Sequence, residues 1–210
     1  MRFLDFNQYL AYIPAILFAM VVHEYAHAYV SYKFGDQTPL YDGRLSLNPK
    51  YHIDPLGFLM LLFVGFGWAK PVHVNTSAYR DAKSGMIWTA FAGPMMNFIV
   101  AFLCMFLYQI LMKGYSNASI YLYILKFLNY SVSINIGLGL FNLIPLPPLD
   151  GSKILLGVLP ENVYMSLVRY EQILSLFLMF LLLSGVLTPF LVNAQTTVIN
   201  FFLHILSFIL

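Results

Sequence analysis

Long apolar runs separated by short polar loops make up most of this chain, and the lengths of the runs set the first expectations. From Tyr9 to Phe34 nearly every position is apolar, with Ile13, Ile16, Leu17, Phe18, Val21, Val22 and Val30 spread over all faces of a helix. A helix with no polar face lies in apolar surroundings, and about 20 such residues cross a bilayer. The run stops near Gly35-Asp36, with Pro39 beyond, as helices do. Met86 to Met112 and Ile120 to Leu143 are also long enough to cross. Ile173 to Val192 reads as a further helix with Pro189 near its end, and Phe201 to Leu210 as an interfacial tail or part of a sixth helix starting near Thr197. Leu56 to Trp68 differs, because its 13 residues include Gly57, Gly65 and Gly67. A run this short predicts an element that enters the membrane and returns. Between Asp36 and Asp54 the alternation Arg44-Leu45-Ser46-Leu47-Asn48, after Asp42-Gly43, predicts a short strand following a turn. The expected fold class is an all-α polytopic membrane protein of about five to six transmembrane helices, with a re-entrant segment and a small β element.

Charge orients these elements. Lys33, Arg44 and Lys50 follow the first run, Lys70, Arg80 and Lys83 precede Met86, and Lys113 alone follows Met112. Positive loops face the cytoplasm, so both basic loops are expected there, which requires the 56–68 segment to return without crossing. With 60% hydrophobic and 10% charged residues, the chain is far from the about 25% charged composition of soluble domains. A net charge of +2, scattered along the chain, gives no footing for nucleic acid. Cys104, the single cysteine, excludes an internal disulfide and a cysteine-based metal cluster. No linker or repeat divides the 210 residues, so one domain is expected, with a core over about 9–160 and C-terminal helices over about 170–210. Met1 to Asp5 lead into the first run without a small-residue cleavage site, which predicts a retained first span.

The candidate chemistry sits inside the first run. His23-Glu24-Tyr25-Ala26-His27 is an HExxH box. Histidines four apart project from one helix face and can reach one metal ion, and the intervening glutamate can serve as base to a water there. Ionisable groups at membrane depth are costly, so three in five positions favour a functional reading over helix–helix hydrogen bonding. A catalytic zinc usually takes three protein ligands. Downstream, Asn142-Leu143-Ile144-Pro145-Leu146-Pro147-Pro148-Leu149-Asp150-Gly151 cannot continue a regular helix. Asp150 there is either a cap for the next helix or the third ligand. If 56–68 returns, the third long run brings Asp150 back to the leaflet that holds His23 and His27, which favours the ligand.

The HEYAH box and the distant Asn-Leu-Ile-Pro…Leu-Asp-Gly element together resemble the site-2 protease family of intramembrane zinc metalloproteases. Ala92-Gly93-Pro94-Met95-Met96-Asn97 is similar to the family's central helix. Residues 43–49, 52–57 and 67–72 are similar to its short bacterial branch. The resemblance implies that His23, His27 and Asp150 hold Zn2+, that Glu24 is the catalytic acid and base, and that Asn142 positions substrate. It implies hydrolysis of peptide bonds in or near transmembrane segments of membrane proteins, in the cell membrane of a bacterium, with the active site toward the cytoplasm. The helix before the HExxH run, the PDZ insertion and the nucleotide-binding tail of other members have no counterpart here.

Two other readings stand beside this one. A membrane metalloprotease of another HExxH type would take a glutamate as third ligand, and Glu171 is the fair candidate, with Glu161 nearby. A non-proteolytic zinc-binding protein or transporter would need neither Glu24 nor the proline-rich turn. Asn97 suits a bond between helices or support of the site, His52 a turn before Asp54-Pro55 or a site role, His73 a loop within reach of the site and His204 the tail.

Overall fold

The computed structural model describes residues 6–64, 67–114, 116, 118–159, 163 and 169–210. Its helices are α1 (Phe6–Lys33), α2 (Thr38–Tyr41), α3 (Pro55–Val64), α4 (Ala82–Lys113), α5 (Ser119–Asn142), α6 (Asp150–Val158), α7 (Glu171–Leu183) and α8 (Thr188–Leu206). Glu161 and Gly65 lie outside the described residues. Four stretches are long and apolar enough to cross a membrane: Gln8–Lys33, Ala82–Lys113, Ser119–Asn142 and Thr188–Leu206. The 13-residue α7 is apolar but shorter. The molecule is therefore an all-helical, multi-pass membrane protein with four such helices among the described residues, against the five or six expected.

Helices α1, α4 and α5 form the body. Ala11, Ala15 and Ala19 follow one another at intervals of four along α1 and are fully buried, and His23, His27 and Ser31 continue the same stripe. Small side chains let membrane helices approach closely, so the face that seats α1 also delivers both histidines to the interior. Where α4 meets α5, a Cβ on Gly139 would lie 3.1 Å from the Phe98 ring and 3.2 Å from the Pro94 carbonyl. Further along, Cys104, Met105, Leu128, Val132 and Ile136 pack with Phe202 and Leu206 of α8. Asp81 starts α4 by accepting the Lys83 and Ser84 amides.

The flanks of α3 meet. Ile53 pairs with Ala69 in an antiparallel bridge, and the Lys70 amide donates to the His52 carbonyl at 2.9 Å. Arg44, only 2% exposed, clamps both flanks at once. Its guanidinium donates to the Tyr51 carbonyl, to the Lys70 carbonyl at 3.0 Å and to the Pro71 carbonyl at 2.9 Å. A Cβ on Gly57 would stand 2.2 Å from the Trp68 carbonyl, so the two arms touch through backbone.

Two expectations are corrected. Residues 44–48 form no strand, and the Ile53–Ala69 bridge is the only β pairing among the described residues. The alternation misled because Arg44 is buried for its carbonyl partners while Leu47 is exposed, the reverse of an inward leucine face. The helix expected over 173–192 is divided: α7 ends at Leu183, and Gly185, at φ 73°, turns the chain. Glycine reaches that conformation without penalty. Pro189 then lies in the first turn of α8, where its missing amide costs nothing. The tail expected from Thr197 is the second half of α8.

Candidate metal centre

Four helices build the centre. α1 supplies His23 and His27. α5 ends at Asn142, the chain turns through Leu143 to Leu149, and α6 begins at Asp150. That turn is tight, because a Cβ on Gly151 would lie 2.3 Å from the Leu143 carbonyl and 2.5 Å from that of Ile144. Glycine after Asp150 is thus what allows α6 to press against the end of α5. α4 closes the third side. A Cβ on Gly93 would lie 2.4 Å from His27 Nε2 and 2.7 Å from His23 Cε1, so both rings sit directly on α4 backbone.

His23 Nε2, His27 Nε2 and Asp150 Oδ2 form a triangle with sides of 3.0, 3.0 and 3.2 Å. All three side chains are buried. No other group of three or more His, Cys, Asp or Glu side chains gathers to ligand distance among the described residues.

The hydrogen bonds settle which nitrogen of each ring carries a proton. Asn97 Nδ2 donates to the Ala19 carbonyl at 3.2 Å and to Asn135 Oδ1 at 2.8 Å. Its Oδ1 therefore faces His23 Nδ1, 2.6 Å away, which must be the donor. His27 Nδ1 donates to the Thr89 carbonyl at 2.6 Å. In the neutral rings both Nε2 atoms then turn lone pairs toward a carboxylate oxygen. Three donor atoms this close could hold a metal ion between them. Tetrahedral donors at about 2.0–2.1 Å from zinc stand about 3.3 Å from one another, close to the triangle found. The donor set fits zinc, and the Nδ1 partners are the orienting bonds that metal-bound histidines use.

Glu24 is half-buried and accepts the Val72 amide at 3.2 Å through Oε2. It lines two cavities. One, of about 170 Å³, lies over the triangle and is bordered by Pro71, Val72, Tyr79 and Thr89. The other, of about 300 Å³, is mainly apolar and reaches α7. Asn142 lines both and donates from Nδ2 to the Leu138 carbonyl at 3.0 Å. Lys153 stands 3.6 Å from Asp150 Oδ1 at the rim.

The remaining expectations resolve by position. Glu171 begins α7, is exposed and takes no part in the triangle. His52 is buried, with Nε2 2.5 Å from the Ser46 carbonyl, and belongs to the turn before α3. His73 is exposed and lies 3.6 Å from Asp42. His204 stacks edge-on against Phe208 in the last turns. Asn97 does both things open to it, bonding helices and supporting His23, and Arg44 is the surprise. Asn97 carried a weak signal as an amide in an apolar helix four residues after Gly93, and Arg44 carried none beyond its motif.

A second network supports His27 from outside. Asp36 accepts from Ser31 Oγ at 2.9 Å, the Asn75 amide at 2.8 Å and the Thr38 amide at 2.9 Å. Tyr79 OH links Ser31 Oγ to Thr89 Oγ1. Burial alone would raise the Asp36 carboxyl; the hydrogen bonds from Thr38, Asn75 and Ser31 outweigh it and hold the group below its ordinary range.

Apolar helices enclosing a buried two-histidine, one-carboxylate triangle beside a glutamate mark a membrane protein with a candidate metal centre. Comparison with known proteins makes the class specific. The model of peptidase family M50 matches residues 109–185. A Bacillus subtilis protein named "Putative zinc metalloprotease YwhC" is 36% identical over 206 residues, which cover 92% of this chain and 93% of that one. "Putative zinc metalloprotease Rip2" of Mycobacterium tuberculosis is 26% identical over 181 residues, 83% of this chain and 67% of that one. No solved structure gives a significant match. The chain belongs to peptidase family M50, the site-2 protease family, and is a membrane zinc metalloprotease by that membership.

Proposed function

We propose that this protein is an intramembrane endopeptidase that cleaves other membrane proteins in or beside a transmembrane segment, with His23, His27 and Asp150 as zinc ligands. The observation that carries the reading is the donor triangle, held on helices long enough to span and flanked by Glu24. Zinc, when bound, supplies a Lewis acid that acidifies water and polarises a carbonyl. The Glu24 carboxylate takes a proton from the attacking water and delivers it to the leaving amine nitrogen. Asn142 uses one amide hydrogen on Leu138, and its second donates to the substrate carbonyl. One such donor contributes about 2.7–4 kcal/mol to the transition state. A helical substrate hides its amides, so it unwinds locally before attack.

Four spans and a dipping α3 are the topology we infer. α3 has ten residues, about 15 Å of helix and half of the about 30 Å hydrocarbon core. Its flanks are joined by Arg44 and the Ile53–Ala69 bridge, which supports entry and return on one side. The basic residues on both flanks favour the cytoplasmic side for those loops and for the centre. The partners of this reading are the lipid bilayer and a membrane protein with a transmembrane segment.

Membrane proteomes of cells carrying wild type or Glu24→Gln test the reading. Fragments cut near a transmembrane segment should appear only with wild type, while both purified proteins carry about one zinc per chain. Full zinc binding with identical proteomes would sink the proteolytic reading in favour of a zinc-binding protein or transporter. Zinc retained by Asp150→Ala but lost by Glu171→Ala would transfer the third ligand.

A further inference from the structure

The apolar cavity of about 300 Å³ has no part in the chemistry just described, yet it opens on the same residues. It shares His23, Glu24, Asn142 and Pro148 with the smaller cavity over the triangle. Its walls are Leu61 of α3, Trp68 after it, Leu138 and Phe141 of α5, and Leu178 and Leu182 of α7. We propose that this cavity is a specificity subsite, which takes one large apolar side chain, of the leucine, methionine or phenylalanine kind, from the residue on one side of the scissile bond. The proposal rests on the proteolytic reading above and names the substrate feature it selects.

Three observations support it. A peptide whose scissile bond lies at Glu24 must place a neighbouring side chain where the two cavities join, because both are bounded by that carboxylate. The walls select for apolar groups. Apart from His23, Glu24 and Asn142, the polar side-chain groups among the described lining residues are the Trp68 indole N–H and the Ser175 hydroxyl, and the hydroxyl donates to the Glu171 carbonyl at 2.8 Å within its own helix. Away from His23, Glu24 and Asn142, a polar substrate side chain would meet only the Ser175 hydroxyl and the Trp68 indole N–H, and would lose most of its water. Finally, Leu178 is the one buried residue of α7, while Leu176, Phe177, Phe180 and Leu183 are exposed. The helix therefore turns its one buried residue to the cavity, with Ser175, Met179 and Leu182 beside it on the same wall.

The test uses the full chain, zinc-loaded in detergent, with a proteome-derived peptide library whose cleavage sites are read by mass spectrometry. Wild type should enrich leucine, methionine and phenylalanine at one position flanking the cut. Leu182→Trp, which fills the cavity, should shift that position roughly tenfold toward alanine and glycine and leave other positions alone, in line with what a pocket discriminates by size. Leu182→Ala, which enlarges it, should move preference toward tryptophan, so a folding defect in one variant does not imitate the result. Cleavage that Glu24→Gln abolishes, but whose flanking preferences neither variant moves, overturns the subsite and leaves the protease standing. Cleavage that persists in Glu24→Gln, or absent from wild type, overturns the proteolytic reading and the subsite with it. Phospholipid that copurifies with wild type and is expelled by Leu182→Trp, with cleavage preferences unchanged, makes the cavity a lipid site and also overturns the proposal.

Discussion

His23 and Asn97 are joined Nδ1 to Oδ1 at 2.6 Å across the interface of α1 and α4. The bond runs in one direction only, since Asn97 commits its nitrogen to Ala19 and Asn135. His23 is thereby held in the tautomer whose Nε2 is free to bind metal. Asn97→Ala removes the acceptor and lets the ring take either tautomer. Zinc affinity should fall about 10–100-fold, the usual effect of deleting an orienting partner. Chelator competition on purified protein measures it. Unchanged affinity would make Asn97 a helix-packing residue and no more.

Gly93 lies where no side chain fits. Its missing Cβ would stand 2.4 Å from His27 Nε2, so Gly93→Ala must displace a ligand ring or part α4 from α1. Alanine favours the helix by up to about 1 kcal/mol, so helix content should hold while zinc binding drops about tenfold or more. Circular dichroism and metal analysis on the same sample separate the two effects. Gly139→Ala, with its nearest contacts at 3.1–3.2 Å, should retain zinc.

Arg44 fixes the flanks of α3 on one side, and its loss should be felt there first. Arg44→Met leaves the Tyr51, Lys70 and Pro71 carbonyls without their donor. These carbonyls are only part-buried, so the loss is that of charged hydrogen bonds rather than of fully buried acceptors; the melting temperature should fall and protease should cut near 50–71 before elsewhere. In wild type, single cysteines near Lys50 and Lys83, in a Cys104→Ser background, should label alike with an impermeant thiol reagent. Labelling from opposite sides of the membrane would mean that α3 crosses.

Asp36 makes the outer support of His27 sensitive to acid. Its folded pKa lies below the ordinary value, so its contribution to stability is present above about pH 4 and lost as pH falls through the folded pKa. Thermal melts of wild type and Asp36→Asn in detergent should differ at pH 7 and converge below about pH 4. A gap that stays constant down to pH 3 would remove Asp36 from the acid response.

The centre was legible because its spacing is chemical: two histidines one helical turn apart, then prolines and an Asp-Gly where no helix continues. The supports were not, because they depend on which faces meet. Asn97 is 74 residues from His23, and only the packing of α4 on α1 shows what its amide does. Arg44 misled for a related reason. A charged residue before alternating leucines reads as surface, whereas here it is buried for the sake of backbone carbonyls contributed by two other segments. The break between α7 and α8 had two signals in an apolar run, Pro189, which reads equally as the end of one helix, and Gly185, whose positive φ follows from the turn and not from hydropathy.

The two histidines are held by different kinds of partner, and this bears on how the site can evolve. His27 leans on the main chain of Thr89, which every amino acid at that position would supply. His23 leans on a side chain. Substitution at position 97 therefore acts on the direct partner of His23, while the direct partner of His27 comes with the fold. The partner of His23 lies in the middle of α4, a helix that otherwise reads as ordinary membrane span.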